Sequence, residues 1–184
     1  ITCIDLVKQT IAWSHMLQLS NAYHDINLLE LANFVIEDSN LYIVSSFGRF
    51  LKLDLNSGNI LWSNNVHSTT TIPLINNNTV VLVSDGGFLS IYEKTSGKIL
   101  FKKNLINFLK IKNVKTNNLK VNNIFLLSGK IYITSNEGYI FSVNSNNLQS
   151  IEYKKLSDTI NSNIAISRKS ISFFGNDDTI FKIQ

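Results

Sequence analysis

A chain of 184 residues that is 44% hydrophobic and 16% charged can bury a sizeable core and lacks the compositional signature of disorder. Its net charge of +4 comes from scattered basic residues, which do not form the focused face that nucleic acid requires. The single cysteine, Cys3, excludes an internal disulfide and a CxxC pair, and no apolar run approaches the roughly 20 residues of a membrane-spanning helix.

The chain opens on ITCIDL, with no initiator Met and no basic-then-apolar leader, and the pattern that follows expects it to begin inside a repeat. The first piece, IDLVKQTIAW (4–13), places Asp5 eight residues before Trp13. A connection over 17–31 follows, and then the first complete unit: ANFVI (32–36), LYIVSSF (41–47) and GRFLKLDLNSGNILW (48–62). The second unit repeats it without a gap at an offset of 39, as TTIPLI (70–75), VVLVSDG (80–86) and GFLSIYEKTSGKILF (87–101). Both units set Gly at the start (Gly48, Gly87), an acid six residues on (Asp54, Glu93), Gly ten residues on (Gly58, Gly97) and an aromatic at fourteen (Trp62, Phe101). A third unit, KVNNIFLL (120–127) and KIYITSNEGYIFSVN (130–144), puts Gly138 in the first glycine position, 51 residues after Gly87. A fourth, TINSNIAI (159–166) and SISFFGNDDTIFKIQ (170–184), has Asp178 there.

Runs rich in Ile, Val, Phe and Tyr, broken by Gly, Asn and Asp at hairpin spacing, predict strands, four to a unit of about 40 residues. The 25 Asn supply turn positions for a chain with only 8 Gly, because Asn tolerates left-handed backbone. Apolar residues recur two places after the first glycine position (Phe50, Leu89, Ile140, Ile180) and five places after it (Leu53, Tyr92, Val143, Ile183). These lie on opposite faces of a strand, as a sheet covered on both sides demands. The pattern predicts an all-β protein, a β-propeller of four-stranded antiparallel blades in an incomplete ring. The expected layout is one segment over 1–184: partial blade 1–17, blades near 32–66, 70–104 and 120–155, and partial blade 159–184. The stretch 104–120 is about a dozen residues longer than its counterpart at 64–70, and such length predicts an exposed, mobile excursion carrying Lys110, Lys112 and Lys115. The neighbouring Lys102, Lys103 and Lys120 read with it as a solvated loop.

The template G-x-Φ-x-x-Φ-D-x-x-[ST]-G-x-Φ-x-W resembles the PQQ-like, quinoprotein-type propeller repeat. Within that group the chain is similar to the C-terminal half of the BamB family of outer-membrane assembly lipoproteins, whose last repeat has the form found in DDTIFKIQ (177–184). The resemblance implies an eight-bladed, non-enzymatic scaffold in the periplasm, attached to the outer membrane by an N-terminal lipid that lies outside this segment. It implies no cofactor, and a protein partner, the periplasmic repeats of BamA. In that family an acidic D-x-D in the linker before this blade contacts the partner. The matching positions here are Leu29 and Leu31, and the nearest similar residues are Asp25, Asn27 and Glu30. With Phe47 and Arg49, which flank Gly48, they are the candidate partner-binding residues.

Other residues weigh toward structure. Trp13 and Trp62 recur at a repeat position, which predicts packing between blades and not a ligand platform. Asp5, Asp54 and Glu93 sit beside tight turns, where a carboxylate accepts backbone N–H bonds. Cys3 falls in strand register with Lys52, Ile91 and Ser142, and His15, His24 and His67 form no metal-ligand cluster. The turns SDGG (84–87) and SNEG (135–138) lack the helix and Lys of a phosphate loop. The alternative function, a PQQ-dependent quinoprotein dehydrogenase, would by resemblance need a vicinal cysteine pair, which one Cys cannot supply. Other binding or sensor propellers remain a further alternative.

Overall fold

The computed structural model describes residues 1–15, 33–45, 48–66, 71–84, 86–116, 118–145, 147–156, 159–160, 164–167, 170–175 and 180–183. Among them, antiparallel sheets follow one another along the chain. The first pairs β1 (Thr2–Asp5) with β2 (Thr10–Ser14). The second runs β3 (Asn33–Glu37), β4 (Asn40–Val44), β5 (Arg49–Asp54), β6 (Ile60–Asn65). The third runs β7 (Leu74–Asn76), β8 (Thr79–Val83), β9 (Phe88–Glu93), β10 (Ile99–Asn104). The fourth runs β11 (Val121–Leu127), β12 (Lys130–Ser135), β13 (Tyr139–Asn144), β14 (Asn147–Lys155). The fifth holds β15 (Ala165–Ser167), β16 (Ser170–Phe174) and β17 (Ile180–Ile183). Every strand pairs with its chain neighbour, so each sheet is a meander, and the whole is an all-β, partial β-propeller.

Alternation along the middle strands decides how the sheets stack. On one face of the second sheet Leu41, Ile43, Leu51 and Leu53 are buried against Ile1 and Trp13 of the first. On the other face Tyr42, Val44 and Phe50 are buried with Val80, Leu82 and Tyr92 of the third. The third sheet then turns Val81, Val83, Leu89 and Ile91 toward Ile131, Ile133, Phe141 and Val143 of the fourth. The odd and even residues of one strand thus belong to two different cores, which is why β8 reads as an unbroken apolar run. Burying each such side chain contributes roughly 1.5–3 kcal/mol, so most of the stability sits between sheets.

Two-residue hairpins join the first and second strands of the second, third and fourth sheets. Asp38, Asn77 and Ser128 take left-handed backbone there, with φ of 52°, 42° and 49°.

The stretch 104–120 is not the exposed excursion that its length predicts. It begins with a short helix, α1 (Leu105–Ile111), whose N-cap Asn104 accepts the Asn107 N–H at 2.8 Å. Leu105 and Leu109, one turn apart, are fully buried in the core between the third and fourth sheets. Phe108 packs edge-on to Tyr153 at 6.0 Å between ring centres. Exposure is confined to the outer side, where Lys110, Lys112 and Lys115 lie with Ile111, which is 77% exposed. Leu109→Ala is expected to lower the stability of the full chain by about 2–5 kcal/mol through the cavity it leaves. Ile111→Ala should change it by less than about 0.5 kcal/mol. Equilibrium denaturant unfolding of the two variants checks the contrast, and equal small effects would return the segment to an undocked loop.

Candidate functional site

The acid, glycine and aromatic of the repeat meet across sheet boundaries. In the second sheet the turn after β5 closes when Gly58 N–H donates to the Asp54 carbonyl at 2.8 Å, and Gly97 does the same to Glu93 at 2.9 Å in the third. Trp13, from the first sheet, lies on the second sheet's turn and donates its indole N–H to the Leu55 carbonyl at 2.9 Å. Trp62, from the second sheet, lies on the third sheet's turn and donates to the Lys94 carbonyl at 3.2 Å. Two residues beyond each indole, His15 Nε2 and Asn64 Nδ2 donate to the carbonyls of Gly58 and Gly97. Gly58 and Gly97 have φ of +73° and +71°, and a Cβ on either would stand 2.6 or 2.7 Å from the indole. Glycine is therefore required twice over, by the backbone and by the ring resting on it.

The same register shows where the dock stops. Gln9 occupies the equivalent glycine position in the first sheet, with φ of 54°. Phe101 pairs with Ile91 as Trp62 pairs with Lys52 and Trp13 with Cys3, but it has no N–H to donate. The acids act within their own turns. Asp5 Oδ1 accepts the N–H groups of Val7 and Lys8 at 3.0 Å each. Asp54 Oδ1 accepts Ser57 N–H at 2.7 Å and Ser57 Oγ–H at 2.8 Å, while Glu93 accepts the Ser96 hydroxyl. The Lys8 N–H beside Asp5 and the Ser57 N–H beside Asp54 lead in holding both carboxyls below the usual range.

Beside the second dock lies a polar group that the repeat did not announce. Lys52 is only 8% exposed. Its Nζ donates to the Lys94 carbonyl at 3.2 Å and stands 5.5 Å from the centre of the Tyr42 ring. Burial, with the charge of Lys94 added, holds Lys52 below the usual lysine range, and Glu37 opposes the shift. Lys94 itself pairs with Glu37 at 2.7 Å. Among the described residues the buried Tyr42 hydroxyl has no hydrogen-bond partner, and burial, aided by Glu37 and Asp38, pushes its phenol up to about 12.

Three serines organise the opposite end of the sheets. The carbonyls of Ser45, Ser84 and Ser135 accept the N–H groups of Gly48, Gly87 and Gly138 at 3.1, 2.8 and 3.1 Å. Their hydroxyls accept the N–H groups of Arg49, Phe88 and Tyr139 at 3.1, 3.3 and 3.1 Å. The three glycine carbonyls then accept the N–H groups of Val66, Leu105 and Leu156 at 2.8, 2.8 and 2.9 Å, as the chain leaves each outer strand. This rim gathers the entry to the third strand and the exit from the fourth. Serine recurs three residues before each glycine, so the rim is signalled in the repeats themselves.

Of the candidate partner-binding residues, Asp25, Asn27, Glu30 and Phe47 lie outside the described residues, as do His24, His67 and the whole connection over 17–31. Arg49 stands on the serine rim, opposite Asn65, at the end of the second sheet where β3 begins at Asn33. Its guanidinium donates to Ser63 Oγ at 3.1 Å. Among the described residues no three of His, Cys, Asp and Glu are grouped closely enough to hold a metal ion.

The family described as outer membrane protein assembly factor BamB matches residues 2–107. No curated protein matches the chain in sequence. The crystal structure of BamB from Moraxella catarrhalis superposes with a TM-score of 0.71 at 14% identity, covering 95% of this chain and 49% of that one. This chain therefore spans about half the length of that protein. A computationally designed protein, Ika4, superposes with a TM-score of 0.62 at 11% identity over 92% of this chain and 98% of that one. Quinohemoprotein alcohol dehydrogenase from Comamonas testosteroni gives 0.62 at 12% identity, over 78% of this chain and 28% of that one. At these identities the likeness carries the fold alone.

Two outcomes test this geometry. Trp62→Ala should cost about 3–5 kcal/mol and Gly97→Ala about 2–4 kcal/mol, but their sum should exceed the double variant, because the Cβ no longer meets a ring. Additive losses in denaturant unfolding would mean that the two residues do not touch. The second outcome concerns pH. The folded state holds the Tyr42 proton to about 12 while the unfolded chain releases it near 10, so its contribution is whole below pH 10 and is lost as pH rises toward 12. Tyr42→Phe should leave neutral-pH stability unchanged or raise it by up to ~1 kcal/mol, and should flatten the alkaline loss. Stability measured from pH 8 to 12 on both proteins checks this, and parallel curves would contradict it.

Proposed function

Because the chain belongs to the family described as outer membrane protein assembly factor BamB, we propose that it is a non-catalytic propeller scaffold that grips a protein of the outer-membrane assembly machinery. The partner of this reading is a BamA-type set of periplasmic repeats, and the location is the periplasm at the outer membrane. The chain is read as one propeller segment over 1–184, part of a longer ring. The exposed Ile4 and Ile11 of the first sheet and Ile166 and Ile180 of the fifth support that reading, since further sheets would cover them.

The observation that carries the proposal is the serine rim. Arg49 and Asn33, the first described residue after the connection over 17–31, share one end of the second sheet. Asp25, Asn27 and Glu30 lie within that connection in the sequence. Loops held by a rigid scaffold are where binding residues concentrate. The quinoprotein reading lacks comparable support, because its vicinal cysteine pair has no counterpart beside Cys3. Titrating the full-length protein with the partner's periplasmic repeats tests the proposal. Asp25→Ala with Glu30→Ala, and separately Arg49→Ala, should each weaken binding about tenfold with an unchanged melting temperature. Unchanged affinity in both variants would refute the assignment of this rim.

A further inference from the structure

The chain's acids and bases are unevenly spread along the sequence on either side of one inserted element. From Lys94 to Asn136 there are nine lysines and no Asp, Glu or Arg, whereas the remainder carries eight basic and thirteen acidic residues. The structure divides these lysines between the two ends of the sheets. Lys94 and Lys130 are paired with Glu37 and Glu152 at the turn end. Lys110, Lys112 and Lys115 are exposed on α1 and the turns after it, at the serine rim, where Leu105 N–H is tied to the Gly87 carbonyl. Among the described residues none of these three has a carboxylate within ion-pair distance.

A groove of about 550 Å³ opens here, lined by Lys110, Asn113, Val114, Lys115 and Thr116. It combines two ammonium groups, an apolar floor at Val114, and an amide and a hydroxyl able to bond a backbone. Ile111 stands exposed beside it.

We propose that this groove on the α1 insertion docks an acidic, extended segment of a protein, with Lys110, Lys112 and Lys115 meeting its carboxylates and Ile111 with Val114 receiving an apolar side chain. Charge complementarity identifies the occupant: the stretch from Lys94 to Asn136 holds no acid, and Glu137, the next acid along the chain, is engaged by the Asn118 N–H at 2.7 Å. A membrane surface fits less well. A helix lying on lipid needs a free apolar face, and α1 has committed Leu105 and Leu109 to the core, leaving only Ile111 outward. Single-stranded nucleic acid fits less well too, since stacking needs an open aromatic face, and Phe108 and the half-exposed Tyr153 are packed on each other, Tyr153 also against Tyr139. The proposal does not depend on the identity of the partner at Arg49.

Fluorescence anisotropy on the full chain tests it, using a labelled twelve-residue peptide of Glu, Asp and Leu. Replacing Lys110, Lys112 and Lys115 by Ala should weaken binding by about tenfold or more at physiological salt, with the melting temperature unchanged. Lys98→Ala, which removes a lysine of the same acid-free stretch at the turn end, should leave binding as it was. Ile111→Ser should weaken the Leu-containing peptide but not one with Leu replaced by Ser. The proposal is overturned if the triple variant and Lys98→Ala weaken binding equally, which would be attraction to net charge. It is overturned equally if the peptide does not bind while phosphatidylglycerol vesicles or an oligothymidine do so through the same three lysines.

Discussion

The first three sheets are set against one another by one contact made twice, an indole from one sheet laid on the glycine turn of the next. A blade with two buried faces has no stable existence alone, because its Val, Leu and Ile side chains alternate between two cores. Apolar contact by itself sets neither the distance nor the angle between sheets. The indole does both: its ring meets a backbone with no Cβ, and its N–H meets one particular carbonyl. Asp54 and Glu93 serve the same contact indirectly, by bonding the turn that the ring must rest on.

That constraint leaves the two ends of the sheets with different freedoms. In the second and third sheets the turn end is occupied by docking, so its residues are locked by the neighbouring sheet. The serine end is organised by Ser45, Ser84 and Ser135 and their backbone bonds, and chain leaving it can lengthen without disturbing a dock. The helix α1 is such a lengthening. Its insertion moves Gly138 to 51 residues after Gly87 without changing the register in which β11 to β14 pair.

The sheets were legible because the repeat is written in spacing: eight residues from Asp54 to Trp62, and paired apolar positions at Phe50 and Leu53 that must lie on opposite faces. The helix was not legible by length. Its Asn104 cap and the Leu105–Leu109 pair are a single turn's worth of pattern, hidden among Asn and Lys that also suit a loop. Lys52 was hidden for a different reason. Strand alternation predicts a face, not which polar stem the neighbouring sheet will cover. The partner-binding residues drawn from resemblance rest, apart from Arg49, on stretches outside the described residues, so their support is the family and the rim on which Arg49 stands.

The most direct test of the account is the exchange of the two indole N–H protons, Trp13 and Trp62 being the only tryptophans in the chain. Their signals in a nitrogen-15 correlation spectrum can be followed after transfer to deuterated water. Both should exchange slowly, and Gly97→Ala should release the Trp62 proton while leaving that of Trp13 protected. If either indole of the unmodified protein exchanges at the rate of a solvent-exposed group, the docks do not hold the sheets together.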